Sequence, residues 1–135
     1  MPERFVHELR VRYGECDPQG IVFNANYLLY FDVAFTEYWR DRIGPWDDMA
    51  KLGVDAVVAE ANLRFRAPAR FDDVLALEVT TEELGTTSTT TRVDIRRDGE
   101  LLVECRLRHV FVDRESWSKT DMPQQIREKL AGQAS

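Results

Sequence analysis

Residues 24–43 read NANYLLYFDVAFTEYWRDRI. Tyr27, Tyr30, Phe31, Ala34, Phe35, Tyr38 and Trp39 recur at helical spacing, while Leu28, Leu29 and Val33 widen the apolar stripe. Polarity comes from Asp32, Glu37, Arg40 and Asp41. A helix apolar around so much of its circumference is expected to be buried on several sides. Asn24 or Asn26 is a candidate N-cap, and Gly44-Pro45 stops the helix.

Upstream, Phe5 to Tyr13 alternates, with Phe5, His7, Leu9, Val11 and Tyr13 on one face, so the segment predicts a half-buried strand. Downstream come four more strands. Asp55 to Arg66 places Val57, Ala59, Ala61, Leu63 and Phe65 on one face, and Pro68 ends it. Val74 to Leu84 alternates strictly, and Thr86 to Arg97 is rich in β-branched residues. Asp98-Gly99 is a two-residue hairpin signal that Leu101 to Val112 answers as partner strand. Asp121 is a candidate cap for a short helix from Met122 to Leu130, with Pro123 in its first turn. Consecutive strands with short turns predict an antiparallel sheet wrapped around one long central helix, an α+β fold filling residues 1–135 as a single domain. The sheet's edges and the leftover apolar helix surface predict dimerisation through an edge strand.

The chain has 135 residues, 44% hydrophobic and 31% charged, with a net charge of −6. That balance excludes a generally basic nucleic-acid binder. No apolar run approaches the roughly 20 residues of a spanning helix, and the charged, alternating start MPERFVHELR is not a signal peptide. Cys16 and Cys105 match no metal spacing and are too few for a disulfide framework. His7 and His109 likewise have no partner at metal-ligand spacing, so no metal is expected. The expectation is a soluble, cytoplasmic protein without a membrane segment.

The chemistry concentrates in Tyr13-Gly-Glu-Cys-Asp17-Pro-Gln-Gly20-Ile-Val-Phe-Asn24-Ala-Asn-Tyr27. A carboxylate on a Gly-containing loop precedes the start of the buried helix, whose first-turn N–H groups lack intrahelical partners and carry the positive dipole end. Such donors suit an oxyanion or polarised carbonyl, and a neighbouring carboxylate suits attack on the carbonyl carbon or activation of water. Asp-Pro-x-Gly is also a common turn, and an Asp near a helix start commonly caps it. Spacing alone leaves both readings open.

The pattern Asp17-Pro-x-Gly20-Ile-Val-Phe-x-x-Asn-Tyr27, followed by an aromatic helix, resembles the hotdog-fold acyl-CoA thioesterases of the 4-hydroxybenzoyl-CoA thioesterase-like family. The resemblance continues through Leu63-Arg-Phe-Arg-Ala-Pro68-Ala-Arg-Phe-Asp-Asp73, the hairpin at Asp98-Gly99, Val112-Asp113 and the Pro123 helix. It departs where many members carry His or Tyr in place of Asn24, and where a common Gly-Asp pair is here Asp72-Asp73. The resemblance implies a hotdog dimer, often a tetramer, with the active site between subunits. It places the catalytic carboxylate on Asp17, as nucleophile or general base, and the carbonyl-polarising backbone amide at Asn24. Val22, Phe23 and Tyr27 are candidates to line the acyl pocket, although an aromatic on such a helix also serves as core.

The implied substrate is an acyl-CoA or acyl-carrier thioester. Coenzyme A is thus part of the substrate, and no separate cofactor is expected. Its phosphates call for a local exception to the acidic balance. Arg64, Arg66 and Arg70 are the candidates, with Arg64 and Arg66 on one strand face and Ser88 a weaker addition; a plain solvated face is the alternative. Two other functions fit the fold. A thioester dehydratase or hydratase would be expected to pair its acid with a histidine near the helix start, but none lies between His7 and His109. A non-catalytic module binding a lipid or aromatic ligand would tolerate loss of Asp17.

Overall fold

The computed structural model describes residues 4–133. Its five strands are β1 (Phe5–Arg10), β2 (Val54–Phe65), β3 (Val74–Leu84), β4 (Ser88–Arg97) and β5 (Glu100–Asp113). They form one antiparallel sheet in the order β1-β3-β4-β5-β2. Helix α1 (Asn26–Arg42) lies against one face, with the short α2 (Asp47–Lys51) and α3 (Gln124–Ala131) at its margins. This is the α+β hotdog architecture that the resemblance implies. Among the described residues no helix is long and apolar enough to cross a membrane.

α1 turns inward the stripe read from its spacing: Tyr27, Tyr30, Phe31, Ala34, Phe35, Tyr38 and Trp39 are each at most 3% exposed. They share one core with Leu75, Leu77 and Val79 of β3, Val93 and Ile95 of β4, and Val103 and Leu107 of β5. Burying each large apolar side chain there contributes about 1.5–3 kcal/mol. The Tyr38 hydroxyl and Thr81 Oγ1 share a buried hydrogen bond of 2.6 Å that fixes α1 over β3. The expectation of burial on several sides is corrected. The sheet covers only one side of α1, so Leu28, Leu29 and Val33 stay exposed.

Other boundaries shift for local reasons. β1 ends at Arg10, and Tyr13 leaves the strand face to open a 3₁₀ turn (Tyr13–Glu15), where it is 81% exposed. That turn closes because the Glu15 N–H reaches the Arg12 carbonyl at 3.0 Å while the Arg12 N–H reaches Glu15 Oε1 at 2.8 Å. β2 carries a bulge: its pairing passes from Val58↔His109 to Glu60↔Arg108, leaving Ala59 extra. A bulge reverses the alternation. Ala61, Leu63 and Phe65 therefore share their side with Ala56 and Val58, rather than with Val57 and Ala59 as expected.

The Asp98-Gly99 hairpin forms as predicted, with both residues at positive φ (50° and 83°), the requirement of a type I′ turn. β4 begins at Ser88 rather than Thr86. Neither Asn24 nor Asn26 caps α1: Ala25 holds the N-cap position without a side-chain bond. Asp121 does not cap α3 either, because Pro123 holds that position and its carbonyl accepts from Ile126 and Arg127. The five-residue α2, anchored by the buried Met49, is too short to show periodicity in sequence.

Candidate active site

The segment between β1 and α1 is a small hairpin folded on itself. Cys16 bridges to Val22, the Asp17 N–H donates to the Ile21 carbonyl at 2.8 Å, and the Gly20 N–H donates to the Asp17 carbonyl at 2.9 Å. Gly20 takes φ 81°, which a side chain would oppose. The hairpin is clamped from the side by residues 67–70. Ile21 bridges to Arg70, and the Val22 N–H donates to the Ala69 carbonyl at 2.9 Å. The Ala69 N–H in turn reaches the Tyr27 hydroxyl at 3.1 Å, tying this third segment to α1.

Asp17, Ile21, Val22, Asn24, Tyr27 and Phe65 line one cleft of 420 Å³ at the N-terminal end of α1. Asp17 Oδ1 accepts from the Gln19 N–H at 2.8 Å, within its own turn. Oδ2 makes no hydrogen bond among the described residues. Two neighbouring amides are used, Phe23 N–H donating to the Glu15 carbonyl at 3.0 Å and Asn26 N–H to the Phe23 carbonyl at 2.8 Å, while the Ala25 N–H, like that of Asn24, has no acceptor among the described residues. The cleft is thus lined by a carboxylate and a helix-start residue, and neither Asp17 Oδ2 nor the Asn24 N–H has a partner among the described residues.

Not every expected residue joins them. Phe23 is exposed and does not line the cleft. Tyr27 does, but it is 3% exposed, packs on Phe65 at 5.7 Å between ring centroids, and its hydroxyl serves Ala69. Burial raises its pKa above the ordinary tyrosine range, so it remains a neutral hydroxyl. Neither histidine is in the cleft: His7 pairs with Leu77 in the sheet, and His109 stacks on Phe35 at 4.5 Å. Among the described residues no group of three or more His, Cys, Asp or Glu is placed to hold a metal ion.

The four phosphate candidates separate. Arg66 lines the Asp17 cleft, but its guanidinium is held by Glu104 through two hydrogen bonds of 2.7 and 3.1 Å, and Glu104 also accepts from Arg92 at 3.1 Å. Arg66, then the neighbouring cations, hold the Glu104 carboxyl below its ordinary range. This network spans the sheet face opposite α1. There Asp94 sits directly across from Glu104 and Arg92 across from Arg106, and diagonal ion pairs offset those like-charge neighbours. Arg64 lies on the same outer face beside Glu104, and Arg70 stands next to the Asp17 hairpin; both are exposed and make no ion pair among the described residues. Ser88 is remote. It pairs with Val110, whereas Phe65 at the cleft is level with Ile95, seven residues along β4 and so roughly 23 Å away.

One contributor escaped the sequence reading. Glu15 was visible there only as a nearby carboxylate, yet its carbonyl and carboxylate together accept four hydrogen bonds at the join of hairpin and helix. Its place two residues before Asp17 was the available signal.

Comparison with known proteins gives consistent findings. The family model of the thioesterase superfamily matches residues 19–104. The acyl-CoA thioester hydrolase YbgC of Escherichia coli O157:H7 is 29% identical over 119 residues, 87% of this chain and 89% of that protein. The 4-hydroxybenzoyl-CoA thioesterase of Pseudomonas sp. (strain CBS-3) is 31% identical over 86 residues, 62% of this chain and 61% of that protein. A crystal structure of a thioesterase superfamily protein from Jannaschia sp. CCS1 superposes with a TM-score of 0.91 at 25% identity, covering 100% of this chain and 99% of that one.

Proposed function

The chain belongs to the thioesterase superfamily, and from that membership and the Asp17 cleft we propose that it hydrolyses an acyl-CoA or acyl-carrier thioester. The observation that carries this reading is the pairing, in one cleft, of a carboxylate oxygen and a helix-start residue whose amide no other group engages among the described residues. The thioester carbonyl enters with its oxygen toward the Asn24 N–H, where the helix dipole favours the charge that develops on it. The Asp17 carboxylate then acts in one of two ways. As nucleophile it attacks the carbonyl carbon; the carbon–sulfur bond breaks, the thiolate departs and takes a proton, and water hydrolyses the resulting mixed anhydride. As general base it takes a proton from water, which attacks in its place. Either path yields a carboxylic acid and a free thiol.

Val22, Ile21 and Phe65 form the apolar wall of the cleft, and Tyr27 supports it. For a phosphate of the carrier, Arg66 lines the cleft but is engaged by Glu104, whereas Arg70, beside the hairpin, makes no ion pair among the described residues and is the cation proposed. The reading includes a homodimer, supported by exposed Leu28, Leu29 and Val33 on α1 and by Val58 on the edge strand β2. It also includes a cytoplasmic location, supported by two unpaired thiols, Cys16 and Cys105.

A panel of short, long and aromatic acyl-CoAs, read by free-thiol release, tests the proposal. Turnover of at least one member is expected, with Asp17→Asn lowering kcat by about 10²–10⁴-fold while the fold persists. A silent panel, or an Asp17→Asn protein as active as the parent, would sink it.

A further inference from the structure

Reaction at the cleft needs Asp17 and the Asn24 amide at a fixed separation, yet six residues of turn and loop lie between them. Glu15 bridges that gap. Its carbonyl accepts from the Phe23 N–H at 3.0 Å and from Asn26 Nδ2 at 2.8 Å, the residues on either side of Asn24-Ala25. Its carboxylate Oε1 accepts from the Arg12 N–H at 2.8 Å and from the Tyr30 hydroxyl at 2.9 Å. Asn26 and Tyr30 are four residues apart, so Glu15 grips one face of the first two turns of α1. On the other side it is joined to Asp17 by a single residue, Cys16.

We propose that Glu15 is a positioning residue for the thioesterase reaction. Through its bond to Tyr30 and its bracket around Asn24, it sets the distance between the Asp17 carboxylate and the amide that receives the carbonyl oxygen. The inference rests on the reading of Asp17 and Asn24 given above. Two features support it. By occupying the Phe23 N–H, Glu15 leaves the Asn24 and Ala25 N–H groups as the helix-start amides without an acceptor among the described residues, and of these two residues Asn24 lines the cleft. Tyr30 is 2% exposed, and burial followed by the Glu15 hydrogen bond raises its pKa above the ordinary tyrosine range, so its hydroxyl stays a proton donor to the carboxylate. Glu15 is not among the residues lining the cleft, and its Oε1 is committed to the Arg12 N–H and the Tyr30 hydroxyl.

The test compares Glu15→Ala, Glu15→Gln, Tyr30→Phe and the Glu15→Ala/Tyr30→Phe double variant with the parent and with Asp17→Asn, using the best acyl-CoA of the panel. A misplacement near 1 Å costs as much as a hundredfold. Tyr30→Phe and Glu15→Ala should therefore lower kcat by about 10–100-fold with KM changed less than about threefold. Glu15→Gln, whose amide oxygen can accept the same two bonds, should recover most of the rate. The double variant should be no slower than the slower single variant, because both remove one link. Should Glu15→Ala fail to fold, Tyr30→Phe and Glu15→Gln carry the comparison alone.

The inference is overturned if Tyr30→Phe keeps kcat within twofold of the parent, or if every loss merely tracks the folded fraction seen by circular dichroism. Its failure is separable from failure of the parent reading. Asp17→Asn inactive with Glu15 and Tyr30 variants at full rate removes only the positioning role, whereas an active Asp17→Asn removes the site itself.

Discussion

Acidification from pH 7 to pH 5 should destabilise this protein through one residue, His109. Its ring lies flat on Phe35, 4.5 Å between centroids and 5° from parallel, and it is 6% exposed. Nδ1 is buried without a hydrogen-bond partner. Burial alone pushes the pKa down to about 4, against about 6.5 for an unfolded histidine. Between those values the unfolded chain binds the proton and the folded chain resists it, so stability rises with pH through this window. The contribution is fully present above pH 6.5 and is lost as pH falls toward 4, by about 2 kcal/mol at pH 5 and about 3 kcal/mol at pH 4. Asp73, Glu104 and Asp113 have their pKa values lowered from ordinary carboxylate values, so their stabilising contributions fade only at more acidic pH. Urea unfolding at both pH values and fixed protein concentration, followed by the fluorescence of Trp39 and Trp46 in the same aromatic cluster, reads the difference. His109→Phe keeps a ring against Phe35 and removes the proton site, so its loss between pH 7 and pH 5 should be smaller by about 2 kcal/mol. Equal losses in parent and variant would refute the reasoning and move the acid sensitivity elsewhere.

Tyr27→Phe strands the Ala69 N–H, whose residue is fully buried, and should cost about 1–3 kcal/mol in urea midpoint at unchanged m-value. A raised KM without loss of stability would instead mark the hydroxyl as a substrate contact. Arg70→Ala should raise KM for an acyl-CoA more than for the matching acyl-pantetheine, since Arg70 bridges to the Asp17 hairpin and makes no ion pair among the described residues; equal effects on both esters would reject the phosphate role. Arg66→Ala should lower stability and leave that KM ratio unchanged, because it removes one of the two cations paired with a Glu104 side chain only 10% exposed.

Much of the architecture was legible because it rests on long, regular patterns. The inward stripe of α1, the alternation of Leu75, Leu77 and Val79, and the Asp98-Gly99 turn all follow from periodicity or obligatory backbone conformation. What escaped was set by single residues or by tertiary contact. The extra residue at Ala59 has no composition signal, yet it moves Ala56 and Val58 onto the side of α1. The exposed flank of α1 reads as core in sequence because hydropathy does not say which side the sheet leaves open. In the site, the Asp17 loop could be found from its motif. The engagement of Arg66 by Glu104 could not, because it joins residues 38 apart in the chain.

A local rule is broken at the place where the chemistry is proposed. A long buried helix preceded by Asp, two Asn and a Gly has every means of capping its own N-terminus, and a side-chain cap is worth about 0.5–2 kcal/mol. Here that stabilisation is forgone: Ala25 occupies the cap position, Asn26 turns its amide to Glu15, and Asp17 accepts from Gln19 in its own turn. Had Asp17 capped the helix, its oxygen and the helix-start amides would have consumed each other. Held apart by the hairpin and the Glu15 bracket, carboxylate and amide stay separate and available. A carbonyl placed between them meets a negative oxygen at its carbon and a donor at its oxygen, the arrangement that thioester hydrolysis requires.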